Sequence, residues 1–279
     1  MTTTLREALA NLQREGLDRI DAQMLLLLAL QREPHDRAWL LAHDGDAMEA
    51  SAATRLAALV QRRRRGEPMA YLRGNQEFFG LTLLVDERVL VPRPDTETLV
   101  SWALDLLDAL PPSAQVLDLG TGSGAIALAI KAERPAARVW ATDASADALA
   151  VARANADRLH LSVDFHLGHW LAAVPAQRFD LIASNPPYIA EGDPHLAALD
   201  HEPGSALTAG PDGLDDIRAL VTTAPAALNA GGWLLLEHGH DQAGAVRTLL
   251  QAAGFTQVGS RTDLAGIERC SGGRWPLRR

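Results

Sequence analysis

The chain has 279 residues, 47% of them hydrophobic and 22% charged, which fits a globular protein with a sizeable core and room for two domains. A formal net charge of −9 argues against a protein that grips nucleic acid through its phosphates. The single cysteine, Cys270, excludes an internal disulfide and a cysteine-rich metal site, and it fits a reducing cytoplasm.

The apolar run Met24 to Leu30 is too short to span a bilayer, and it lacks the basic leader and small-residue cleavage site of a signal peptide. The first ~75 residues read as short helices. Thr4 and Glu7 make a capping-box pattern ahead of Leu5, Ala8, Leu9 and Leu12. Ile20, Met24, Leu27 and Leu28 recur at helical spacing, as do Leu56, Leu59 and Val60, and all are expected in the core of a small bundle. Arg62-Arg63-Arg64-Arg65 closes the last long helix, where cations complement the helix dipole, and reads as a solvated end.

Gly66-Glu67-Pro68 breaks that helix. Phe78, Phe79, Leu81, Leu83 and Val85, with Gly74 and Gly80, predict a pair of short strands linking two domains. Pro92-Arg93-Pro94-Asp95-Thr96-Glu97 opens a helix that Asp95 or Thr96 can cap, with Leu99, Val100, Trp102, Ala103, Leu106 and Leu107 as its apolar face.

From Gln115 strands and helices alternate. The strands fall at Val116–Leu119, Val139–Thr142, Val163–His166, Phe179–Ser184, Trp233–Glu237, Thr256–Ser260 and around Ile267–Cys270. Helices fall near Ala125–Glu133, Ala146–Leu159, Leu214–Leu228 and Gln242–Ala253. This order predicts an α/β fold with a doubly wound, mostly parallel sheet. The last two strands have no convincing helix between them, so they predict an antiparallel edge hairpin. That edge separates the methyltransferase version of the sheet from the nicotinamide-binding one.

Asp118-Leu119-Gly120-Thr121-Gly122-Ser123-Gly124 is a strand end running into a glycine turn before a helix. Asp143 ends the next strand, where a carboxylate can accept both hydroxyls of a ribose. The third glycine of the dinucleotide spacing is replaced by Ala125, consistent with a cofactor that carries no phosphate. Trp170, after Gly168-His169, can pack on an adenosine, and a neutral His169 can accept from the adenine amino group. Asp180 reads as a strand-end cap.

In Ser184-Asn185-Pro186-Pro187-Tyr188 the two prolines end a buried strand, because neither has an N–H for the ladder. The turn then offers acceptors, the Asn185 side-chain oxygen and the Pro186 carbonyl, suited to the two hydrogens of a substrate –NH2 group. The long stretch from Ile189 to Asp212 is expected to shape the substrate mouth.

Asn185–Tyr188 resembles the signature of amino-group methyltransferases. The chain as a whole is similar to the PrmC (HemK) family, which methylates the glutamine of the Gly-Gly-Gln loop in peptide chain release factors. The resemblance is carried also by Gly66-Glu67-Pro68, Glu77 to Leu81, Pro92 to Glu97, Asp118 to Gly124, Glu202-Pro203 and Gly210 to Leu214. Glu237-His238-Gly239 and Asp263 to Gly266 complete it. The resemblance implies a class I S-adenosylmethionine-dependent methyltransferase, Rossmann-like with seven strands. The expected domains are a helical substrate-recognition domain at 1–75, a β-hairpin linker at 76–91 and the methyltransferase domain at 92–279.

By position, the family's cofactor site falls on Asp118, Gly120, Thr121, Gly122, Ser123, Gly124, Asp143, Trp170 and Asn185. Its glutamine site falls on Asn185, Pro186, Pro187 and Tyr188, with Asn185, Pro186 and Tyr188 as the catalytic set. His169 departs from the acidic residue the family often has before the Trp. The implied cofactor is S-adenosylmethionine, giving S-adenosylhomocysteine, with no metal. The implied partner is a class 1 release factor, met by a cytoplasmic monomer with neither membrane nor direct nucleic-acid binding. A ribosomal-protein glutamine methyltransferase, an adenine-N6 nucleic-acid methyltransferase and a non-catalytic cofactor-binding module are the rival readings.

Overall fold

The computed structural model describes residues 3–277 and divides into two compact units, one running to Gly74 and the other from Asn75. The first holds α1 (Leu5–Arg14), α2 (Arg19–Ala29), α3 (Arg37–Ala42), α4 (Ala50–Arg64) and α5 (Met69–Arg73). The capping box on α1 forms: Thr4 accepts from the Glu7 N–H, and the Glu7 carboxylate accepts from the Thr4 N–H. Leu25, Leu26 and Leu27 of α2 pack with Leu5, Leu12, Leu40, Leu56 and Val60 as the unit's core. Ile20 does not join them: in the first turn of α2, just past its cap Asp18, it is 52% exposed.

Much of the basic run is neutralised within the unit. Arg62 pairs with Glu67 at 2.5 Å, Arg63 with Asp21 at 2.6 Å and Arg64 with Glu15 at 2.5 Å. Among the described residues no helix is long and apolar enough to cross a membrane.

The second unit opens with an antiparallel hairpin, β1 (Asn75–Phe78) and β2 (Leu81–Leu84), which buries Phe78 and Leu83. A 3-10 turn, Pro94–Thr96, then leads into α6 (Glu97–Leu107). Neither Asp95 nor Thr96 caps this helix, contrary to the expectation from sequence. Thr96 already has helical backbone angles, and its side chain makes no cap bond.

The remaining elements are β3 (Gln115–Leu119), α7 (Ala125–Glu133), β4 (Arg138–Asp143), α8 (Ala146–Leu159), β5 (Asp164–Leu167) and β6 (Phe179–Ser184). They continue with α9 (Asp215–Ala227), β7 (Leu228–Glu237), α10 (Ala243–Ala252), β8 (Thr256–Thr262) and β9 (Glu268–Arg274). The strands form one seven-stranded sheet in the order β5-β4-β3-β6-β7-β9-β8, parallel except for the edge hairpin β8–β9. One face packs against α6 and α7 through Val116, Leu99 and Leu128, the other against α9 and α10 through Leu117, Ile217 and Val246.

Two strands run further than their composition predicts. β7 starts at Leu228 directly from α9, and its entry is tied down by Asp180, which accepts from Asn229 Nδ2 and from the Gln115 N–H. β9 continues through Gly272, where a Cβ would stand 2.4 Å from Leu235 and 2.7 Å from the Leu234 carbonyl. Glycine there is demanded by close packing rather than by a turn.

Register places the site. Leu119 pairs with Thr142 on one side and Ser184 on the other, and Ser184 pairs with Leu236. Gly120, Asp143, Asn185 and Glu237 therefore stand at or just beyond neighbouring strand ends. The gap between β3 and β6 is the switch point of the sheet, where α/β folds bind ligands.

Candidate active site

A cleft of about 420 Å³ opens at this switch point. Gly120, Gly122, Asp143, Trp170, Asn185 and Pro187 line it. Its size suits a nucleoside-scale ligand.

On one side stands the glycine turn. The N–H groups of Gly120 and Thr121 both donate to the Thr142 carbonyl at 2.9 Å, which ties the turn to β4. Asp143 accepts from the Gly122 N–H at 2.9 Å through one oxygen and from the Ser145 N–H at 2.8 Å through the other. Each oxygen keeps a lone pair for a further donor. Gly120 has φ +70, and a Cβ built on it would meet the Trp170 ring at 3.0 Å. The indole thus lies over the turn, fixed by its N–H donating to Asp216 at 3.3 Å. His169 sits edge-on to that indole, exposed at the rim of the cleft.

Asp118 lies beneath the turn and does not line the cleft. It is fully buried and accepts from the Thr121 hydroxyl at 2.6 Å and the Ala127 N–H at 3.2 Å, while Oδ1 has no partner. Burial raises its pKa to about 7 against the pull of those two hydrogen bonds. Thr121 and Ser123 are buried with it, and Gly124 leads into α7. These four residues build the turn, whereas Gly120 and Gly122 present it.

On the other side stands the Asn185 turn. Ser184 closes β6 by donating its hydroxyl to the Leu119 carbonyl at 2.7 Å, so the two turns are joined at their bases. The Asn185 side-chain NH2 donates to Thr96 Oγ1 at 3.3 Å, which leaves its oxygen as the unengaged end. Pro186 is buried. The Tyr188 carbonyl accepts from Gln242 Nε2 at 3.0 Å, and its hydroxyl donates to Glu237 at 3.4 Å. Burial first, and then the nearby Glu237, push the Tyr188 phenol well above its ordinary pKa, so it stays neutral.

Glu237 is 1% exposed, and burial raises its pKa to about 7. Sequence reasoning gives Glu237 no role and Thr96 only that of a possible helix cap; otherwise only their place in resembling segments marks them. Asp216, Arg88 and Val89, which also line the cleft, carried no such signal.

The stretch after Tyr188 forms part of the mouth: Pro203, Ser205 and Ala206 line the cleft. Glu202 anchors the stretch by accepting from the Val91 N–H at 3.0 Å and pairing with Arg93. Cys270 is buried, its thiol pushed up to about 12 mainly by that burial. Among the described residues no group of three or more His, Cys, Asp or Glu could hold a metal ion.

Residues 3–74 match the family model of the PrmC N-terminal domain, and residues 101–201 match the methyltransferase small domain. The chain is 51% identical to the release factor glutamine methyltransferase of Xylella fastidiosa over 265 residues, 94% of this chain and 95% of that one. Its identity to the enzyme of the same name from Burkholderia pseudomallei is 51%, over 95% of each chain. Among solved structures, a methyltransferase from Pyrococcus furiosus shares the fold, with a TM-score of 0.55 at 20% identity. The match covers 78% of this chain and 99% of that one.

Proposed function

The chain belongs to the family of release factor glutamine methyltransferases, and from that premise we propose the reaction it carries out. It transfers a methyl group from S-adenosylmethionine to the side-chain amide nitrogen of the glutamine in the Gly-Gly-Gln loop of peptide chain release factors, leaving S-adenosylhomocysteine. The observation that supports this best is the pair of turns joined through Ser184 and Leu119. One offers a carboxylate and bare glycine backbone, the other an amide oxygen with no partner of its own.

Bound S-adenosylmethionine supplies a methyl group on a sulfonium, which is a good leaving group. Asp143 would hold its ribose, Gly120 and Gly122 would admit it close to the backbone, and Trp170 would pack on its adenosine. Asp118, Thr121, Ser123 and Gly124 would keep that turn in shape.

A glutamine amide is a weak nucleophile because its lone pair is shared with the carbonyl. The chain's contribution is then positioning, an effect that reaches roughly 7–11 kcal/mol in good cases. The Asn185 oxygen and the Pro186 carbonyl take the two amide hydrogens. As the nitrogen gains positive charge those hydrogens become better donors, so both acceptors bind the transition state more tightly than the ground state. Tyr188 and Pro187 wall the amide off from water, and the proton leaves after transfer. Since the driving force sits in the sulfonium, the transfer as proposed needs no metal.

We assign residues 1–75 to holding the release factor, the hairpin at 76–91 to linking and 92–279 to the chemistry, in a cytoplasmic monomer that makes no direct contact with nucleic acid. A fragment from Asn75 that methylated intact release factor as efficiently as the whole chain would remove the first assignment. The reaction itself is tested with methyl-labelled donor, a release factor and whole ribosomes. Label on the glutamine of the Gly-Gly-Gln loop is expected; label on a ribosomal protein or on RNA alone would overturn the reading.

A further inference from the structure

The Asn185 turn rests on a row of buried polar side chains that the methyl transfer itself does not call on. Asn185 Nδ2 donates to Thr96 Oγ1 at 3.3 Å. The Thr96 hydroxyl stands beside the Glu237 carboxyl and favours its ionised form, and the Tyr188 hydroxyl donates to Glu237 Oε1 at 3.4 Å. Thr96 is 4% exposed and Glu237 1%, and Glu237 Oε2 has no hydrogen-bond partner among the described residues, which leaves it open to the Thr96 hydrogen. The charged groups around Glu237 are Asp95 and Arg269. Arg269 is already paired with Asp95 and with Asp263, each at 3.1 Å. Among the described residues Glu237 makes no ion pair of its own. A buried acid without a cation is costly to keep, and packing alone does not call for one.

Its position in the row gives it a use. An asparagine amide has nearly the same shape in its two flipped orientations but opposite chemistry, with an acceptor on one edge and two donors on the other. A substrate –NH2 group can be received only by the oxygen edge; the opposite flip sets donor against donor. The Thr96 hydroxyl has one hydrogen and two lone pairs, so it can serve either orientation of Asn185. An ionised Glu237 only accepts, so it claims that hydrogen. Thr96 then presents lone pairs to Asn185, and only the NH2 edge can meet them. The oxygen edge is left facing the cleft.

We propose that Glu237 is a positioning residue which, through the Thr96 hydroxyl, fixes the flip of the Asn185 amide so that its oxygen receives the substrate –NH2 group. This rests on the reading that the methyl acceptor is a primary amide. Glu237 touches neither donor nor acceptor in this assignment; it sets the direction of the hydrogen bonds that reach them. The register supports it, because Ser184 pairs with Leu236, so Asn185 and Glu237 are adjacent at the strand ends.

The test uses the full chain and three variants. Glu237→Gln supplies a donor in place of the carboxylate, frees the Thr96 hydrogen to turn toward Asn185 and permits the wrong flip. Thr96→Val deletes the relay, and Thr96→Ser keeps it. Both Glu237→Gln and Thr96→Val should lower kcat on a Gly-Gly-Gln peptide about ten- to a hundredfold, the range for one unsatisfied buried hydrogen bond, with donor affinity by calorimetry unchanged. Thr96→Ser should recover most of that loss. The side-chain 15N–1H2 signals of Asn185, identified by their disappearance in Asn185→Asp, should move in Glu237→Gln and Thr96→Val but not in Thr96→Ser.

Wild-type kcat in both damaging variants, or a serine no better than valine, overturns the relay. So do Asn185 signals that stay in place. Failure of the underlying reading shows differently: the unmodified protein then methylates no glutamine, while the Asn185 signals still report whether Glu237 sets the flip.

Discussion

The glycine turn and the Asn185 turn stand at adjacent strand ends, yet they are held by different means. The glycine turn is fixed by backbone groups and by Asp118 and Asp143, all lying between residues 118 and 145. The Asn185 turn depends on side chains 89 and 49 residues away in sequence, Thr96 and Glu237. A turn made of local backbone bonds is tolerant, because each bond has near neighbours that share its work. A side chain aimed by a relay across three elements has no such reserve. Damage to the first should therefore appear as weaker cofactor binding, and damage to the second as slower turnover with the cofactor still bound.

The largest separation should come from Asn185→Ala. Removing one preorganised group aimed at developing charge typically costs on the order of a hundred- to a thousandfold in rate. Donor affinity measured by calorimetry should change little, since the glycine turn and Asp143 remain. Near-normal turnover on a Gly-Gly-Gln peptide would sink the acceptor role of Asn185. The converse variant, Asp143→Ala, should weaken donor binding by roughly ten- to a hundredfold, the value of a charge-assisted hydrogen bond. Turnover at saturating donor should stay close to normal. Because Asp143 also receives the Gly122 and Ser145 N–H groups, Asp143→Asn is the gentler control and should fall between the two.

Gly120→Ala sharpens the comparison from the backbone side. At φ +70 an L residue is strained by roughly 1–2 kcal/mol, and its Cβ would press on the Trp170 ring. A lower Tm and weaker donor binding are expected, with the Asn185 side-chain signals unmoved. Displacement of those signals would mean that the two turns are not independently held.

The same contrast decides what could be read from the sequence. The glycine turn was legible because its chemistry is local: strand, glycines, helix and a following acid occur in one short stretch. Asn185 and its prolines were legible for the same reason. Pro-Asp-Thr-Glu reads soundly as a helix start capped by Asp95 or Thr96, because nothing local shows that the Thr96 hydroxyl receives the Asn185 side chain from beyond β6. Glu237 was visible only as part of a resembling segment, since its role depends on the register of β7 against β6. Gly272 shows the same limit in the fold. Composition ends β9 near Cys270, and only the proximity of Leu235 and Trp102 explains why a glycine continues it.

The smallest effect, and the one that separates a positioning acid from a structural one, lies in the pH dependence of stability. Burial holds the Glu237 pKa at about 7, above the ordinary 4.5, so the folded protein keeps a proton there that the unfolded chain has released. Between pH 4.5 and 7 the folded state thus binds more protons, and stability falls as pH rises. The contribution is fully present below 4.5 and is lost as pH passes through about 7. Asp118, also near 7 from an ordinary 3.8, adds a fall of the same sign. Glu237→Gln removes only the first component. Its Tm relative to the unmodified protein should therefore rise between pH 5 and pH 8, by about 2–4 °C for each kcal/mol involved. A structural acid would give a variant that is less stable and less active together. The relay requires the opposite pairing at pH 8, a variant at least as stable as the unmodified protein yet slower on its substrate. A Tm difference that does not change with pH would show that Glu237 does not titrate in this window. The ionised form would then be present throughout, and the slower turnover of Glu237→Gln should be equally large at pH 6 and pH 8.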